Sequence, residues 1–186
     1  MKYVESHLKG VVLIEPDCFQ DRRGFFMESY NELVFQKLGF PYPFVQDNHS
    51  FSSEPGVLRG LHYQLGQKAQ AKLVRVISGA IYDVVVDISK NSPTFGQWEG
   101  FILTAYNRKQ LLVPKGFAHG FCTLVPQTEV LYKVDAFYSP QYERGIRWDD
   151  PSLKIDWPYS NPILSNKDSA HPLLHDAEVT DEGEGI

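Results

Sequence analysis

Eight short segments with β-strand composition run through most of the chain, and they restrict its fold more than any other feature. Each is rich in Val, Ile, Phe and Tyr, and Gly, Pro, Asn or Ser separates many of them. They lie near residues 44–51, 57–64, 70–77, 79–88, 98–104, 109–113, 119–125 and 128–137. Short strands at this spacing predict a mostly β sandwich or barrel. Strands and helices do not alternate, so a Rossmann-type sheet is disfavoured.

The N-terminal part adds two strand candidates and one helix. Residues 11–14 form a short apolar strand candidate, and residues 21–24 predict a turn into a strand at residues 25–29. Residues 31–38 have helical spacing of apolar side chains, with Asn31 as the predicted N-cap and Gly39 as the stop signal. We therefore expect a few short helices beside the β framework.

Length and composition exclude several classes of protein. The chain has 186 residues and no Pro/Gly/Ser-rich linker, so we predict one domain over residues 1–175. Residues 176–186 carry five acidic side chains and few apolar ones, which predicts a flexible acidic tail. A formal charge of -5 argues against a nucleic-acid partner.

Cysteine usage and hydropathy predict the compartment. Cys18 and Cys122 stand in unrelated contexts without metal-ligand spacing, so we interpret both as reduced packing residues. No apolar run approaches the ~20 residues of a membrane span, and the N-terminus lacks a signal-peptide pattern. We predict a soluble cytoplasmic protein without a membrane partner.

The segment from residue 59 to residue 72 carries the first chemical candidates. Alternation places Gly60, His62 and Gln64 on one face of a strand and the intervening apolar side chains on the other. Gly66 allows a turn, and a short connection predicts that the next strand pairs antiparallel and returns Lys72 beside His62. A base and a cation would then share one cavity, although a lone strand histidine is more often structural.

A second histidine, His119, follows the rigid turn at residues 114–116. Together with His62 it suggests a metal site. Two histidines on two strands of a β barrel resemble the metal-binding motifs of the cupin superfamily. However, Gln64 stands at the second histidine position, and Lys72 stands where the acidic ligand is expected. A cation there repels a metal ion, so we predict no metal.

A base beside a cation suits proton abstraction from a carbon next to a carbonyl group. The base removes the proton, and the cation stabilises the enolate oxygen. Tyr132 is a candidate acid on another strand, although most tyrosines simply pack. Ser165 and Asp168 have the spacing of a helix capping box, which gives the Asp168 carboxylate a structural alternative to any role in catalysis.

Six ordered motifs, spread over residues 10–175, resemble the dTDP-4-dehydrorhamnose 3,5-epimerase family. They are residues 22–28 (RRGFFME), 46–50 (QDNHS), 57–64 (VLRGLHYQ), 72–76 (KLVRV), 113–121 (VPKGFAHGF) and 164–168 (LSNKD). The resemblance implies a cupin-type jelly roll, a homodimer, and a reaction on dTDP-4-keto-6-deoxyglucose without a cofactor. Carbons C3 and C5 of the sugar, which flank the C4 ketone, would both be inverted to give dTDP-4-dehydro-L-rhamnose.

The resemblance also implies roles for individual side chains. His62 matches the general base, Asp168 the carboxylate that orients it, Lys72 the group that stabilises the enolate, and Tyr132 the acid that returns a proton from the opposite face. The remaining matches concern substrate binding, with Tyr138 stacking on thymine and the basic residues near the diphosphate. They are Arg23, Phe26, Glu28, Gln46, Asn48, Arg59, His119, Tyr138, Glu143 and Lys167.

Several of these positions also have ordinary structural interpretations. Arg23 is a candidate solvated turn residue, Glu143 a surface acid and His119 a buried structural histidine. A single Asp168 carboxylate is not expected to cap a helix and orient His62 at the same time. Two other functions stay open: a relative that inverts only one carbon or isomerises the keto group, and a non-catalytic cupin that binds sugar nucleotides or a metal.

Overall fold

A two-sheet β sandwich forms within residues 1–179, the part of the chain that this computed structural model describes. Its strands are β1 Lys2–Glu5, β2 Val12–Glu15, β3 Cys18–Asp21, β4 Gly24–Met27, β5 Gln46–Ser52, β6 Leu58–Gln64, β7 Lys72–Ser78, β8 Ala80–Asp87, β9 Trp98–Thr104, β10 Gln110–Val113, β11 Phe117–Thr123, β12 Thr128–Val134 and β13 Glu143–Gly145. The helices are α1 Glu32–Lys37 and α2 Asn166–Ser169, with single 3-10 turns at Gly66–Lys68 and Leu174–Asp176. The prediction of a mostly β chain with a few short helices is confirmed.

The strands divide into two large antiparallel sheets and one separate hairpin. One sheet has six strands in the order β1-β2-β10-β7-β12-β5, and the facing sheet has five in the order β13-β6-β11-β8-β9. Strands β3 and β4 pair only with each other. Each of the eight predicted segments overlaps one strand, whereas β1, β3 and the three-residue β13 were not predicted.

The central core lies between the two sheets. It joins side chains such as Val74 and Leu111 from the six-stranded sheet to Ile81, Val85 and Phe121 from the five-stranded sheet. Strand alternation sends the intervening residues outward, and further apolar layers cover both outer faces. Leu61 and Val84 pack under the C-terminal segment, and Leu73 packs under the region of α1.

Helix α1 forms where its capping signals predicted it. The side chain of Asn31 accepts hydrogen bonds from the backbone N–H groups of Leu33 and Val34, and Gly39 follows with a φ of 86°. The predicted helical spacing rested on Leu33, Val34 and Leu38, and in one respect it was misleading. Phe35 is the buried residue, whereas Leu33 is 67% exposed.

The predicted pairing of the strands on either side of Gly66 is wrong. Strand β6 bonds to β11 and β13 in one sheet, and β7 bonds to β10 and β12 in the other. The chain crosses from one sheet to the other through the 3-10 turn Gly66–Lys68 instead of forming a hairpin. Lys72 still reaches His62, but it does so across the interior of the sandwich.

The first residues of the predicted acidic tail contact the domain. Val179 is buried, and Arg144 forms an ion pair with Glu178 whose Nη2···Oε2 distance is 2.8 Å. Tyr63 also donates a hydrogen bond to the carbonyl oxygen of Glu178 at 2.7 Å. The predicted flexibility of residues 180–186 lies outside the described residues.

Helix length bears on the membrane prediction. The longer of the two α-helices in residues 1–179, α1, has six residues, and no helix in this range is long and apolar enough to cross a membrane.

Candidate active site

The interior of the sandwich changes from apolar to polar at one end. On β7 the inward side chains run from Val76 and Val74 to Lys72, and on β12 they run from Val130 to Tyr132. On β6 the apolar side chains of Leu61 and Tyr63 join the outer core, so His62 faces the interior as its alternation predicted. A cavity of about 340 Å³ results.

Most of the predicted site residues line this cavity. They are Gln46, Asn48, Arg59, His62, Lys72, His119, Tyr132, Tyr138, Glu143, Lys167 and Asp168. A larger cavity of about 560 Å³ is lined by none of the predicted residues. We place the candidate active site in the smaller cavity because His62, Lys72, Tyr132 and Asp168 line it together, which combines a base, a cation and an acid in one space.

Two glycines allow β6 and β11 to approach closely beside the histidines that they carry. A Cβ atom on Gly60 would lie 2.5 Å from the Cα atom of Gly120, and Gly60 has a φ of 137°. His62 and His119 are register partners on these two strands. The Gly-Leu-His and His-Gly patterns therefore bring two imidazoles to one wall of the cavity.

His62 and Asp168 form a hydrogen-bonded pair with 2.6 Å between Nε2 and Oδ1. The other carboxylate oxygen, Oδ2, accepts from the Ser165 hydroxyl at 2.8 Å, and Ser165 Oγ accepts from the Asp168 backbone N–H. The two roles fall to different side chains, in keeping with the expectation that one carboxylate would not fill both. Ser165 caps α2, which leaves Oδ1 of Asp168 for His62.

Burial and charge set the protonation of this pair. Burial lowers the pKa of His62 below its usual value and outweighs the opposing effect of the Asp168 carboxylate. Burial alone would raise the pKa of Asp168, but the imidazoles of His171 and His62 and the Ser165 hydroxyl hold it well below its usual range. A neutral imidazole next to a carboxylate anion results. Because Nε2 donates to Asp168, Nδ1 is the atom left to accept a proton.

Lys72 lies in the opposite sheet and is almost fully buried, with 7% of its surface exposed. Its Nζ donates to the backbone carbonyl oxygen of His62 at 3.1 Å. Burial lowers the pKa of Lys72 to about 8, although the carboxylates of Asp83 and Glu143 oppose this shift. An ammonium group has three donors, so the contact to His62 leaves others for a ligand.

Tyr132 is a further titratable group that lines the cavity, and it belongs to the same sheet as Lys72. It lines the cavity on β12, whereas His62 lines it on β6 of the facing sheet. Burial raises the pKa of Tyr132, so its hydroxyl holds its proton at neutral pH. A proton acceptor and a proton donor thus occupy opposite walls of one cavity.

His119 forms a second buried pair that the sequence reasoning missed. Its Nε2 lies 2.8 Å from Oδ1 of Asp83, which is fully buried on β8. The signal for Asp83 was present in the sequence, because a carboxylate within an otherwise apolar strand rarely lacks a partner. Asp83 also helps to offset the buried charge of Lys72.

The cavity rim carries a small polar network. Glu143 forms an ion pair with Lys167 at 2.5 Å and accepts a hydrogen bond from the Tyr138 hydroxyl at 2.7 Å. On the neighbouring wall, Gln46 donates to Asn48 at 2.9 Å and accepts from the Tyr138 backbone N–H at 3.0 Å. These contacts hold Tyr138 half exposed at the entrance.

The sequence suggested a metal site at His62 and His119, but the structure groups His62 with other potential ligands. Within residues 1–179, His62, Asp168 and His171 place one ligand atom each within 4.8 Å of one another. In this arrangement the Nε2 proton of His62 is used in the bond to Asp168, and the buried ammonium of Lys72, which donates to the His62 backbone carbonyl, also lowers the pKa of that imidazole. These residues fit a proton-transfer pair better than a metal centre, and the absence of a metal stays a prediction.

Three predicted binding residues lie apart from the cavity. Arg23, Phe26 and Glu28 stand on or beside the β3–β4 hairpin, and none of them lines the cavity. Phe26 is 69% exposed, and Arg23 forms an ion pair with Asp21 at 2.5 Å. Within this single chain, Arg23 is a solvated turn residue, which is the structural alternative to a role in substrate binding.

Residues 5–176 match the family model described as dTDP-4-dehydrorhamnose 3,5-epimerase. The chain belongs to the dTDP-4-dehydrorhamnose 3,5-epimerase family. A protein of that name from Shigella flexneri is 54% identical over 179 residues, which cover 96% of this chain and 98% of the relative.

Two solved structures support the same family assignment. The epimerase from Bacillus anthracis, with TDP and PPi bound, is 57% identical with a TM-score of 0.91, covering 92% of this chain and 98% of its own. The epimerase from Legionella pneumophila, in complex with dTDP-4-keto-L-rhamnose, is 46% identical with a TM-score of 0.89, covering 94% and 93%. The predicted cupin-type jelly roll of the epimerase family is thus confirmed.

Other residues that line the cavity were not predicted. Ser50 and Gln70 lie on its polar walls, and Phe121 lies where the cavity meets the core. The hydroxyl of Ser50 is buried and has no hydrogen-bond partner among the described residues. Alternation along β5 places Ser50 on the same face as Gln46 and Asn48, so the sequence pattern could have predicted that Ser50 lines the cavity.

Proposed function

We propose that this protein inverts C3 and C5 of dTDP-4-keto-6-deoxyglucose to give dTDP-4-dehydro-L-rhamnose. One observation carries the proposal: His62, paired with Asp168, and Tyr132 line opposite walls of the same cavity. Inversion requires that a proton leaves one face of a carbon and another arrives on the opposite face. A base and an acid on facing sheets supply both groups without movement of the sugar between them.

In the proposed mechanism, Nδ1 of His62 removes a proton from a carbon next to the C4 ketone. The electron pair of the broken C–H bond forms the enolate, whose oxygen is stabilised by the Lys72 ammonium. Asp168 stabilises the imidazolium that results. This role explains why a costly buried cation is placed beside the base.

The enolate then takes a proton at the same carbon from Tyr132, on the opposite face. The C–H bond re-forms with inverted configuration and the ketone is regenerated, which leaves His62 protonated and Tyr132 ionised. Exchange with water restores both groups before the second carbon reacts. The reaction needs no net oxidant or reductant, which agrees with the expectation that the protein uses no cofactor.

We further propose that the protein acts as a homodimer in which the β3–β4 hairpin of one protomer completes the site of the other. The hairpin exposes Phe19 and Phe26, which are 67% and 69% accessible. An Arg108 guanidinium 4.4 Å from the Phe25 ring centroid ties the hairpin to its own protomer. Exposed aromatic side chains on a projecting hairpin favour a protein interface. A partner's hairpin would also bring Arg23, Phe26 and Glu28 to the substrate.

Exchange of hydrogen with deuterated water tests the proposal directly. The protein is incubated with dTDP-4-keto-6-deoxyglucose in deuterated water, and label at each carbon is followed by NMR. Label at both C3 and C5 with inverted products supports the double epimerase. Label at one carbon supports a mono-epimerase, and substrate binding without label supports a non-catalytic cupin.

Two variants separate the roles of the base and the acid. His62→Ala is expected to abolish label at both carbons, because no other group removes the proton. Tyr132→Phe is expected to retain part of the exchange while inversion falls sharply. Complete and equal loss of exchange in both variants would contradict this division of roles.

A further inference from the structure

His171 lies against the His62–Asp168 pair, and it belongs neither to the sequence motifs nor to the proposed mechanism. Its Nε2 is 3.6 Å from Oδ1 of Asp168, the same oxygen that accepts from His62. Its ring meets the His62 ring edge to face, with 5.3 Å between centroids and 79° between planes. Two imidazoles therefore converge on one carboxylate oxygen.

The position of His171 depends on a glycine in the adjacent strand. Gly145 on β13 is the register partner of His62 on β6. A Cβ atom on Gly145 would lie only 2.4 Å from Cε1 and Nε2 of His171. The missing side chain at residue 145 leaves the space that the His171 ring fills, directly beside the imidazole of the base.

The polar atom of His171 lacks any other partner among the described residues. Its side chain is 10% exposed, and its Nε2 is buried without a hydrogen bond. A buried polar atom without a partner carries a free-energy cost, and such atoms in native proteins call for an explanation. The carboxylate oxygen Oδ1 of Asp168, 3.6 Å away, is the group toward which this nitrogen points.

We propose that His171 is a positioning residue for the epimerisation: it directs Nε2 at Asp168 and, together with Gly145, fixes the orientation and charge balance of His62. The inference rests on the proposed function, because it assigns His62 as the base. A ring packed edge to face against His62 restricts rotation of the imidazole, which keeps Nδ1 toward the substrate.

The electrostatic consequence follows from the shared oxygen. An N–H of His171 aimed at Asp168 withdraws part of the carboxylate's charge from the His62 imidazolium, and a protonated His171 would also repel it. Both effects lower the pKa of His62. His171 also lowers the pKa of Asp168. Removal of the His171 nitrogens should therefore raise the pKa of the base.

Other titratable groups surround this cluster among the described residues, and the experiment leaves them unchanged. They are Arg59 on β6, Lys72 on β7, His119 on β11, Tyr132 on β12, Tyr138 at the rim, Glu143 on β13 and Lys167 on α2. Because all of them are retained in a His171 variant, a shift in the acidic limb of the rate profile reports on His171.

The test compares His171→Phe with the parent protein and with His175→Phe. Phenylalanine retains an aromatic ring beside His62 but removes both nitrogens. His175 has a 71% exposed side chain and provides the same substitution at a neighbouring surface position. We expect the acidic limb of kcat/KM for epimerisation to move up by about 0.5 pH unit or more in His171→Phe. His175→Phe should superimpose on the parent profile.

An NMR titration of the His62 imidazole, assigned with a His62→Gln variant, gives a second readout that needs no turnover. It should show the same upward shift in His171→Phe. His171→Leu carries the same expectation if the phenylalanine variant does not fold. Superimposable limbs and titration curves in parent and variant would overturn the proposal and leave His171 as packing. A parent protein that does not epimerise would refute the proposed function, whereas the titration would still decide the role of His171.

Discussion

The imidazole of His62 bonds to the carboxylate of Asp168 at 2.6 Å, although 106 residues separate them in the sequence. One belongs to a strand in the five-stranded sheet and the other to the helical turn α2 near the C-terminus. In the proposed mechanism the C-terminal segment therefore has a chemical role as well as a packing one. There it supplies the anion that would keep His62 in one tautomer and balance its charge after proton abstraction.

Replacement of Asp168 with asparagine tests this pairing. Asparagine is nearly isosteric, and the Ser165 hydroxyl that caps α2 is retained, so the fold should persist. Loss of the anion leaves the imidazolium unstabilised, and we expect exchange at both carbons to fall by about 10²–10⁴-fold. The exposed Asp149→Asn serves as the control. A variant within threefold of the parent rate would show that Asp168 acts only in the helix cap.

The pH dependence of kcat/KM should have an acidic limb set by His62 and an alkaline limb set by Lys72. His62 must be neutral to accept a proton, and because burial lowers its pKa, activity should persist below pH 6.5. Lys72 must be protonated to stabilise the enolate, and its pKa of about 8 predicts a decline above that pH. Steady-state rates from pH 4 to 11, with circular dichroism to verify folding, check both limbs. An alkaline limb near the ordinary lysine value would contradict the assignment.

Lys72→Met should separate stability from activity. The folded state binds a proton at Lys72 less tightly than the unfolded chain, with a pKa of about 8 instead of 10.5. The charged form therefore costs stability below pH 8, and the free energy of unfolding should rise as pH increases from 8 to 10.5. Methionine removes this cost, so we expect a gain on the order of 1–3 kcal/mol at pH 7 together with loss of epimerisation.

Urea unfolding of Lys72→Met at several pH values gives the measurement, and Lys68→Met provides the matched control on the exposed turn between β6 and β7. The control should change the free energy of unfolding by less than about 0.5 kcal/mol. A strongly destabilised Lys72→Met would mean that the buried ammonium holds the fold together instead of serving the reaction.

The hairpin proposal predicts that a charge at Phe26 disrupts assembly and activity together. Phe26→Asp should lower the sedimentation coefficient toward that of a monomer, because a buried aspartate at an aromatic contact is costly to desolvate. The rate should fall about tenfold or more, since the partner's binding residues are withdrawn. Leu33→Asp changes an equally exposed side chain on α1 and should preserve both. A dimeric, fully active Phe26→Asp would exclude this interface.

Local patterns predicted the elements of this fold well. Alternation in residues 57–64 correctly placed His62 and Gln64 on the opposite face from Leu61 and Tyr63, and the capping residues around α1 marked both of its ends. These features depend on neighbours within a few residues. The sequence motifs likewise identified the epimerase family, which the comparisons established.

Contacts between distant segments escaped the same reasoning. A short connection after β6 predicted a hairpin, but the chain crosses to the facing sheet, so Lys72 meets His62 through the interior. The partners of His171 and Asp83 became visible only in the tertiary structure, which brings His171 beside Gly145 on β13 and Asp83 beside His119 on β11. Spacing along the chain did not contain these relationships.

The sequence by itself determined most of the strands, the ends of α1, the inward face of His62 and the family to which the chain belongs. Only the tertiary structure decided which sheet each strand joins, which groups share the cavity, and that the hairpin carrying Arg23 and Phe26 stays outside it in one protomer. The physical reason is that backbone propensity and side-chain alternation act locally. Sheet order and charge pairing are instead set by burial of the whole chain, where surfaces far apart in sequence compete for the same partners.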